Sequence, residues 1–147
     1  MMPRFTVDTS TIISRRLSDL PDNFLFSSVV LLERMAGAKD ETERKQYEAL
    51  YHSYREDNSL ILPNAADWLL ASKILFWLSH RRRKQSGGRL PKLKTGASQR
   101  MALDALLAAS ARRWKATIIT ENYDDFKAMQ YYMKDLKIIR GSDYFKR

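Results

Sequence analysis

The chain has 147 residues, enough for one domain with a buried core, and 44% of them are hydrophobic. Its 26 basic and 17 acidic residues give a formal net charge of +9, and this balance is typical of a folded soluble protein. The sequence contains no cysteine and only two histidines, which excludes disulfides, Cys-ligated metal centres and histidine-rich metal sites. It shows no bilayer-spanning stretch and no signal-peptide core. We therefore expect a cytoplasmic protein in which residues 1–147 form a single domain.

Short hydrophobic segments alternate with helical patterns along the whole chain. Segments rich in β-prone residues predict strands at residues 5–7, 24–26, 60–62, 117–119 and 137–139. Apolar residues at helical spacing predict helices at residues 9–17, 29–38, 40–56, 65–79, 99–114 and 123–129. Alternation of strands with helices along the chain predicts an α/β fold whose sheet is mainly parallel.

The predicted helix at residues 65–79 is apolar on more than one face. Its large side chains are interpreted as core residues, or otherwise as a surface for a second copy or a partner protein. They are Trp68, Leu69, Ile74, Leu75 and Trp77.

The positive charge is concentrated in one segment. Between Ser79 and Arg100 there are eight basic residues and no acid, so the rest of the chain holds 18 basic residues against 17 acids. The basic residues are Arg81, Arg82, Arg83, Lys84, Arg89, Lys92, Lys94 and Arg100. Glycine and proline in the same segment predict a flexible basic loop at about residues 80–98. Such a loop can bind the phosphates of a nucleic acid, or it can serve as a solvated linker.

Three acids occupy positions where packing alone would favour apolar residues. Asp8 follows the first strand, at the edge where open parallel sheets usually place their sites. Glu33 and Asp104 lie on otherwise apolar helix faces. A buried carboxylate needs a compensating charge, and each acid singly could form an ion pair, for which Arg34 and Arg100 are available.

A shared divalent cation would compensate all three acids together. Mg²⁺ and Mn²⁺ prefer oxygen ligands, and three converging carboxylates would otherwise repel one another. Thr120 and Asn122 follow a later strand and could add a hydroxyl and a carbonyl oxygen at the same sheet edge. The alternative for Asn122 is that it caps the next helix.

The residues around these acids resemble the PIN-domain nucleases, and in particular the VapC-type toxins of bacterial toxin–antitoxin pairs. The matching segments appear in the family's order and cover most of the chain. They are Val7-Asp8-Thr9-Ser10, residues 26–38 around Glu33, residues 104–111 beginning Asp-Ala-Leu-Leu-Ala-Ala, and Thr120-Glu121-Asn122-Tyr123-Asp124-Asp125-Phe126.

The resemblance implies a three-layer PIN-like fold with a central sheet of four to five strands and an acidic pocket. It also implies Mg²⁺- or Mn²⁺-dependent endoribonuclease activity, a homodimer and a small VapB-type antitoxin encoded nearby. By position, Asp8, Glu33 and Asp104 match the principal acids and metal ligands. Asn122 stands where many relatives have a fourth Asp. Ser10, Thr120 and Asp125 match supporting positions.

Two other functions remain open at this point. An enzyme of the same fold could act on DNA, or could process RNA without being a toxin. A catalytically silent nucleic-acid-binding module would need the basic segment but not the acids, so its binding would be independent of metal and of Asp8.

Overall fold

The computed structural model of the chain describes residues 3–14, 17–85, 87 and 97–145. Its strands are β1 Arg4–Val7, β2 Phe26–Ser27, β3 Leu60–Ile61, β4 Ala116–Thr120 and β5 Lys137–Arg140. Its helices are α1 Thr9–Ser14, α2 Ser28–Ala36, α3 Glu41–Glu56, α4 Ala65–Gln85, α5 Ala97–Arg113, α6 Tyr123–Gln130 and α7 Gly141–Tyr144, and Leu17–Asp19 forms a 3-10 turn. The predicted α/β alternation is confirmed, and the short helix α7 was not predicted.

All pairings between the described strands are parallel. β4 lies between β1 and β5, while β2 pairs with β3. A parallel bridge between Phe5 and Phe24 joins the two groups, and the Leu25 N–H donates to the Phe5 carbonyl oxygen at 2.7 Å. The strand order is therefore β3-β2-β1-β4-β5. The direction of winding changes between β1 and β4, which is the topological switch point where open parallel sheets usually bind ligands.

The core lies between the sheet and the helices that flank it. Residues of β4 are buried along nearly its whole length, as is typical of a parallel strand that has neighbours on both sides and helices against its faces. The strands contribute Val7, Phe26, Ile61, Ile118 and Ile119, and the helices contribute Val30, Ile74, Leu107 and Phe126.

The structure corrects the predicted basic loop at residues 80–98. Helix α4 continues to Gln85, so residues 80–85 are helical. The physical reason is that Arg and Lys are good helix formers, and the run Arg81–Lys84 contains no residue that would end a helix. Gly87 follows with φ of +67°, a left-handed conformation that favours glycine after a helix end. Residues 86 and 88–96 lie outside the part of the chain described.

Helix α4 buries only part of its apolar surface. Ile74 is buried, whereas Trp68 is 62% exposed and Leu69 is exposed as well. The core interpretation is therefore right for Ile74 and wrong for Trp68 and Leu69. No described helix combines the length and the hydrophobicity needed to cross a membrane.

Candidate functional site

The candidate site begins at the carboxyl ends of β1 and β4. Val7 is paired with Ile119 in the parallel register, so the next residues, Asp8 and Thr120, lie side by side at the sheet edge. The Thr120 hydroxyl donates to Asp8 Oδ2 at 2.7 Å. The sequence thus places its first acid at the switch point, next to a hydroxyl that is distant in sequence.

Asp8 is held in one orientation by several donors. The side chain is only 1% exposed. Its Oδ1 atom accepts from the Thr11 N–H at 3.2 Å and from the Thr11 hydroxyl at 2.8 Å. The Ser10 hydroxyl lies 3.0 Å from both carboxylate oxygens. These bonds compensate for burial of the carboxylate and fix the direction in which it faces.

Glu33 is half-buried on α2 and contacts the first residue of α1. The Thr9 hydroxyl donates to Glu33 Oε1 at 2.8 Å. Arg34, the neighbour that could have neutralised Glu33, instead donates to the Tyr47 hydroxyl at 2.9 Å and lies 4.0 Å from Glu43. The predicted alternative of a Glu33–Arg34 ion pair is therefore wrong, since Arg34 is engaged with α3.

Asp104 on α5 lies within electrostatic reach of the other acids. The pKa of Asp104 is raised to about 7, mainly by burial and then by the negative charges of Asp8, Glu33 and Asp125, in that order. Arg100 lowers the pKa of Asp104, but it does so more weakly than any of the acids raises it. Asp8, Glu33 and Asp125 therefore lie near enough to act on the charge of Asp104, and Arg100 does not neutralise it. We refer to these four acids as the acid cluster.

Asn122 stands at the start of α6, beside Thr120. Its backbone N–H donates to the Thr120 hydroxyl oxygen at 2.8 Å. Asn122 occupies the N-cap position of α6, as the capping alternative predicts, but its side chain makes no hydrogen bond to the helix N-terminus. Thr120 accepts from Asn122 and donates to Asp8, which links the loop before α6 to the buried carboxylate.

The donor chemistry of the site suits a hard divalent cation. The carboxylates, hydroxyls and amide carbonyl of these residues offer oxygen ligands, and burial together with the neighbouring acids raises the pKa of Asp104, a cost that a bound cation would offset. Among the residues described, no three histidines or acids are arranged to hold an ion by themselves. Mg²⁺ typically binds one or two carboxylates and completes its shell with waters and substrate phosphates, and the present donors fit that kind of site.

Comparison of the fold with solved structures finds similar folds, among them in three complexes. A DNA-bound VapBC from Salmonella typhimurium is 15% identical, with a TM-score of 0.55, and the match covers 95% of this chain and 99% of the other. VapBC2 from Rickettsia felis, bound to a DNA fragment from the promoter, is 17% identical, with a TM-score of 0.52. The match covers 92% of this chain and 97% of the other. VapBC-1 from nontypeable Haemophilus influenzae is 20% identical, with a TM-score of 0.50. The match covers 94% of this chain and 98% of the other.

The chain has a PIN-like fold. That conclusion comes from structure alone, because no protein-family model matches the sequence and no curated protein matches it significantly. The PIN-like fold confirms the α/β architecture with a parallel sheet that the sequence predicts.

The basic residues predicted to bind nucleic acid are described only in part. Arg81, Lys84 and Arg100 are exposed. Arg81 lies over the ring of Tyr131, with its guanidinium carbon 5.5 Å from the ring centroid. The remaining predicted residues lie outside the described part of the chain: the side chains of Arg82 and Arg83, and all of Arg89, Lys92 and Lys94.

Several residues near the acids were not predicted from the sequence. Thr9 and Thr11 orient Glu33 and Asp8, and the polar run directly after β1 was the only signal that could have indicated them. Arg140 ends β5 opposite Thr120, and its guanidinium carbon lies 4.5 Å from the centroid of the Tyr123 ring. Its position at a strand end is the same signal that indicated Asp8.

Asp125 and its neighbour Asp124 provide a matched test of the acid cluster. We expect Asp125→Asn to lower the pKa of Asp104 by roughly several tenths of a unit, because it removes one of the charges that raise that pKa. Asp124 is also exposed and in the first turn of α6, and Asp124→Asn should change the pKa of Asp104 less. Carboxyl-carbon NMR titration of the metal-free protein measures both shifts. Equal shifts in the two variants would contradict the specific contact with Asp125.

Proposed function

We propose that this chain is a metal-dependent endoribonuclease that forms a single PIN-like nuclease domain. Two observations support the proposal: Asp8 lies at the topological switch point of the parallel sheet, and Asp104 is partly buried with a pKa that the charges of Asp8, Glu33 and Asp125 raise further than burial alone does. Mutually repelling acids at a ligand-binding edge are costly for stability, and binding of a divalent cation explains why they are there. The low number of histidines and the absence of cysteine agree with chemistry that needs no side-chain nucleophile.

Asp8, Glu33 and Asp104 would hold Mg²⁺ or Mn²⁺, with Asn122 at the rim of the site. When bound, the cation supplies an activated water and stabilises the charge that develops on the scissile phosphate. Ser10, Thr11 and Thr120 keep the Asp8 carboxylate in place, and Thr9 does the same for Glu33.

Substrate phosphates need compensating charge near an acidic pocket that would otherwise repel them. Arg81, Lys84 and Arg100 are exposed cations on the helices α4 and α5, and they would bind the RNA backbone. A single-stranded or looped RNA fits this arrangement best, because its backbone and bases are accessible. Arg89, Lys92 and Lys94 stay RNA-binding residues predicted from the sequence, outside the described part of the chain.

We further propose that the chain acts as the toxin of a toxin–antitoxin pair. The support is the likeness of its fold to chains of the VapBC complexes from three bacteria. By this proposal the chain is cytoplasmic and homodimeric, and a small VapB-type antitoxin encoded next to it blocks the acidic site.

The nuclease proposal is tested with the purified chain and a pool of labelled single-stranded RNA of random sequence. We expect cleavage with Mg²⁺ or Mn²⁺, none with EDTA, and a loss of roughly 100-fold or more in Asp8→Asn, because the variant loses a negatively charged ligand. Asp22→Asn is the control, since Asp22 is exposed and lies with Arg4 near the opposite end of β1. If the chain cleaves single-stranded DNA faster than single-stranded RNA, the proposal that RNA is its substrate is wrong. If the chain binds RNA but cleaves it with neither Mg²⁺ nor Mn²⁺, the proposal that it is a nuclease is wrong.

A further inference from the structure

A second surface feature lies at the far end of α6. Six residues from the C-terminal half of α4 and the turn after α6 line a cavity of about 460 Å³. They are Trp77, His80, Arg81, Lys84, Tyr131 and Tyr132. The cavity is within the size range of ligand sites, and none of its lining residues is acidic. We refer to it as the aromatic groove.

The aromatic rings of the groove form a connected set with exposed surface. The Trp77 and Tyr132 rings are stacked, with centroids 5.2 Å apart and an interplanar angle of 29°. Tyr131 meets Tyr132 edge-on at 5.0 Å, and Tyr131 remains 67% exposed. Rings that are fixed against each other but open to solvent provide faces on which another flat ring can stack.

The charge of the groove is positive. Arg81 is held against Tyr131 by a cation–π contact, and Lys84 lies one turn further along α4. Neither cation forms an ion pair with any acid in the described ranges. Cations without acidic partners beside stacked rings match the two parts of an unpaired nucleotide, which are its phosphate and its base.

We propose that the aromatic groove binds unpaired bases and the adjoining phosphates of a single-stranded RNA. The proposal rests on the proposed function, to which it adds a substrate-binding subsite outside the acid cluster. Helix α6 connects the two, since Asp125 near its start contributes to the acid cluster and Tyr131 follows its last turn. A separation of six positions in sequence corresponds to about 9 Å along a helix axis, a distance that a short single strand covers.

Binding is measured by fluorescence anisotropy with a labelled random-sequence RNA single strand, in EDTA so that no cleavage occurs. We expect Tyr131→Ala to weaken RNA binding by roughly tenfold, because a base loses the ring on which it stacks. Tyr131→Phe keeps the ring and should bind RNA as the wild type does. The matched control is Trp68→Ala, since Trp68 is similarly exposed but lies elsewhere on α4. Arg81→Gln should reduce the salt dependence of log affinity by about 0.7, whereas Lys73→Gln, an exposed lysine outside the groove, should not.

The outcomes separate this proposal from the catalytic one. If Tyr131→Ala binds single-stranded RNA as the wild type does, the groove proposal is wrong, even if the wild type cleaves RNA with Mg²⁺. If the wild type cleaves no RNA but Tyr131→Ala loses binding, the groove stands and the nuclease proposal fails. If Tyr131→Ala weakens the binding of fully paired RNA as much as that of single-stranded RNA, the groove proposal is also wrong, because paired bases cannot stack on protein side chains.

Discussion

Replacing Asp104 by Asn is expected to abolish RNA cleavage and, at the same time, to stabilise the metal-free protein above neutral pH. Asp104 is held near three other acids and is partly buried, so its negative charge opposes folding when no cation is bound. Asn keeps the shape and removes the charge. A residue whose loss improves stability but destroys activity is characteristic of a functional site.

The pH dependence of this effect follows from the pKa of Asp104. The pKa is about 7 in the folded chain, whereas the ordinary value of 3.8 applies when the chain is unfolded. Between these values the folded state keeps a proton that the unfolded state has released. The free energy of unfolding therefore falls as pH rises through this window, by at most about 4 kcal/mol at pH 7 and above. The advantage of Asp104→Asn should be absent near pH 3.8 and complete above pH 7.

Urea denaturation at pH 5 and pH 8, in EDTA and in Mg²⁺, measures how pH and the bound cation each change the free energy of unfolding. Mg²⁺ should stabilise the wild type at pH 8 more than at pH 5, because the ligand must lose its proton to bind the cation. The Asp104→Asn variant should respond to Mg²⁺ weakly at either pH. If the variant is less stable than the wild type at pH 8 in EDTA, then a cation of the protein, such as Arg100, already compensates Asp104.

The fold and the acid cluster were predictable because local patterns carry them. Asp8 was indicated by its place after a β-prone segment, and Glu33 and Asp104 by their apolar neighbours on a helix. The parallel sheet then places Asp8 at its carboxyl edge, while Glu33 and Asp104 depend on how α2 and α5 pack.

The features that the sequence did not predict depend on contacts between distant segments. The orientation of Asp8 needs Thr120, which reaches it only through the register of β1 with β4. The aromatic groove needs Trp77 of α4 to meet Tyr132, which lies in the turn after α6. Helix α4 has apolar residues on several faces, so periodicity could not distinguish buried Ile74 from exposed Trp68.

Replacing Arg113 by Met is expected to destabilise the fold strongly. Arg113 Nε lies 2.9 Å from Asp67 Oδ2, and the Asp67 side chain is only 2% exposed. The Arg113 guanidinium also donates to the Leu62 carbonyl oxygen at 2.7 Å. Without Arg113, the Asp67 carboxylate would remain buried with no cation. We expect a loss of about 2 to 3 kcal/mol, just below the usual range for a buried pair, because Arg113 itself is 35% exposed.

The adjacent residue provides the control for this prediction. Arg112 forms an ion pair with Asp135 at 3.0 Å, but Asp135 is 66% exposed, so Arg112→Met should change the free energy of unfolding by less than about 1 kcal/mol. Urea denaturation followed by circular dichroism compares the two variants. Similar losses in both would show that packing of the arginine stems matters more than burial of the charge.

Arg113 also lies about 14 Å along α5 from Asp104, so Arg113→Met should retain RNA cleavage at temperatures where it is folded. Its stability defect is thereby separable from the chemistry of the acid cluster.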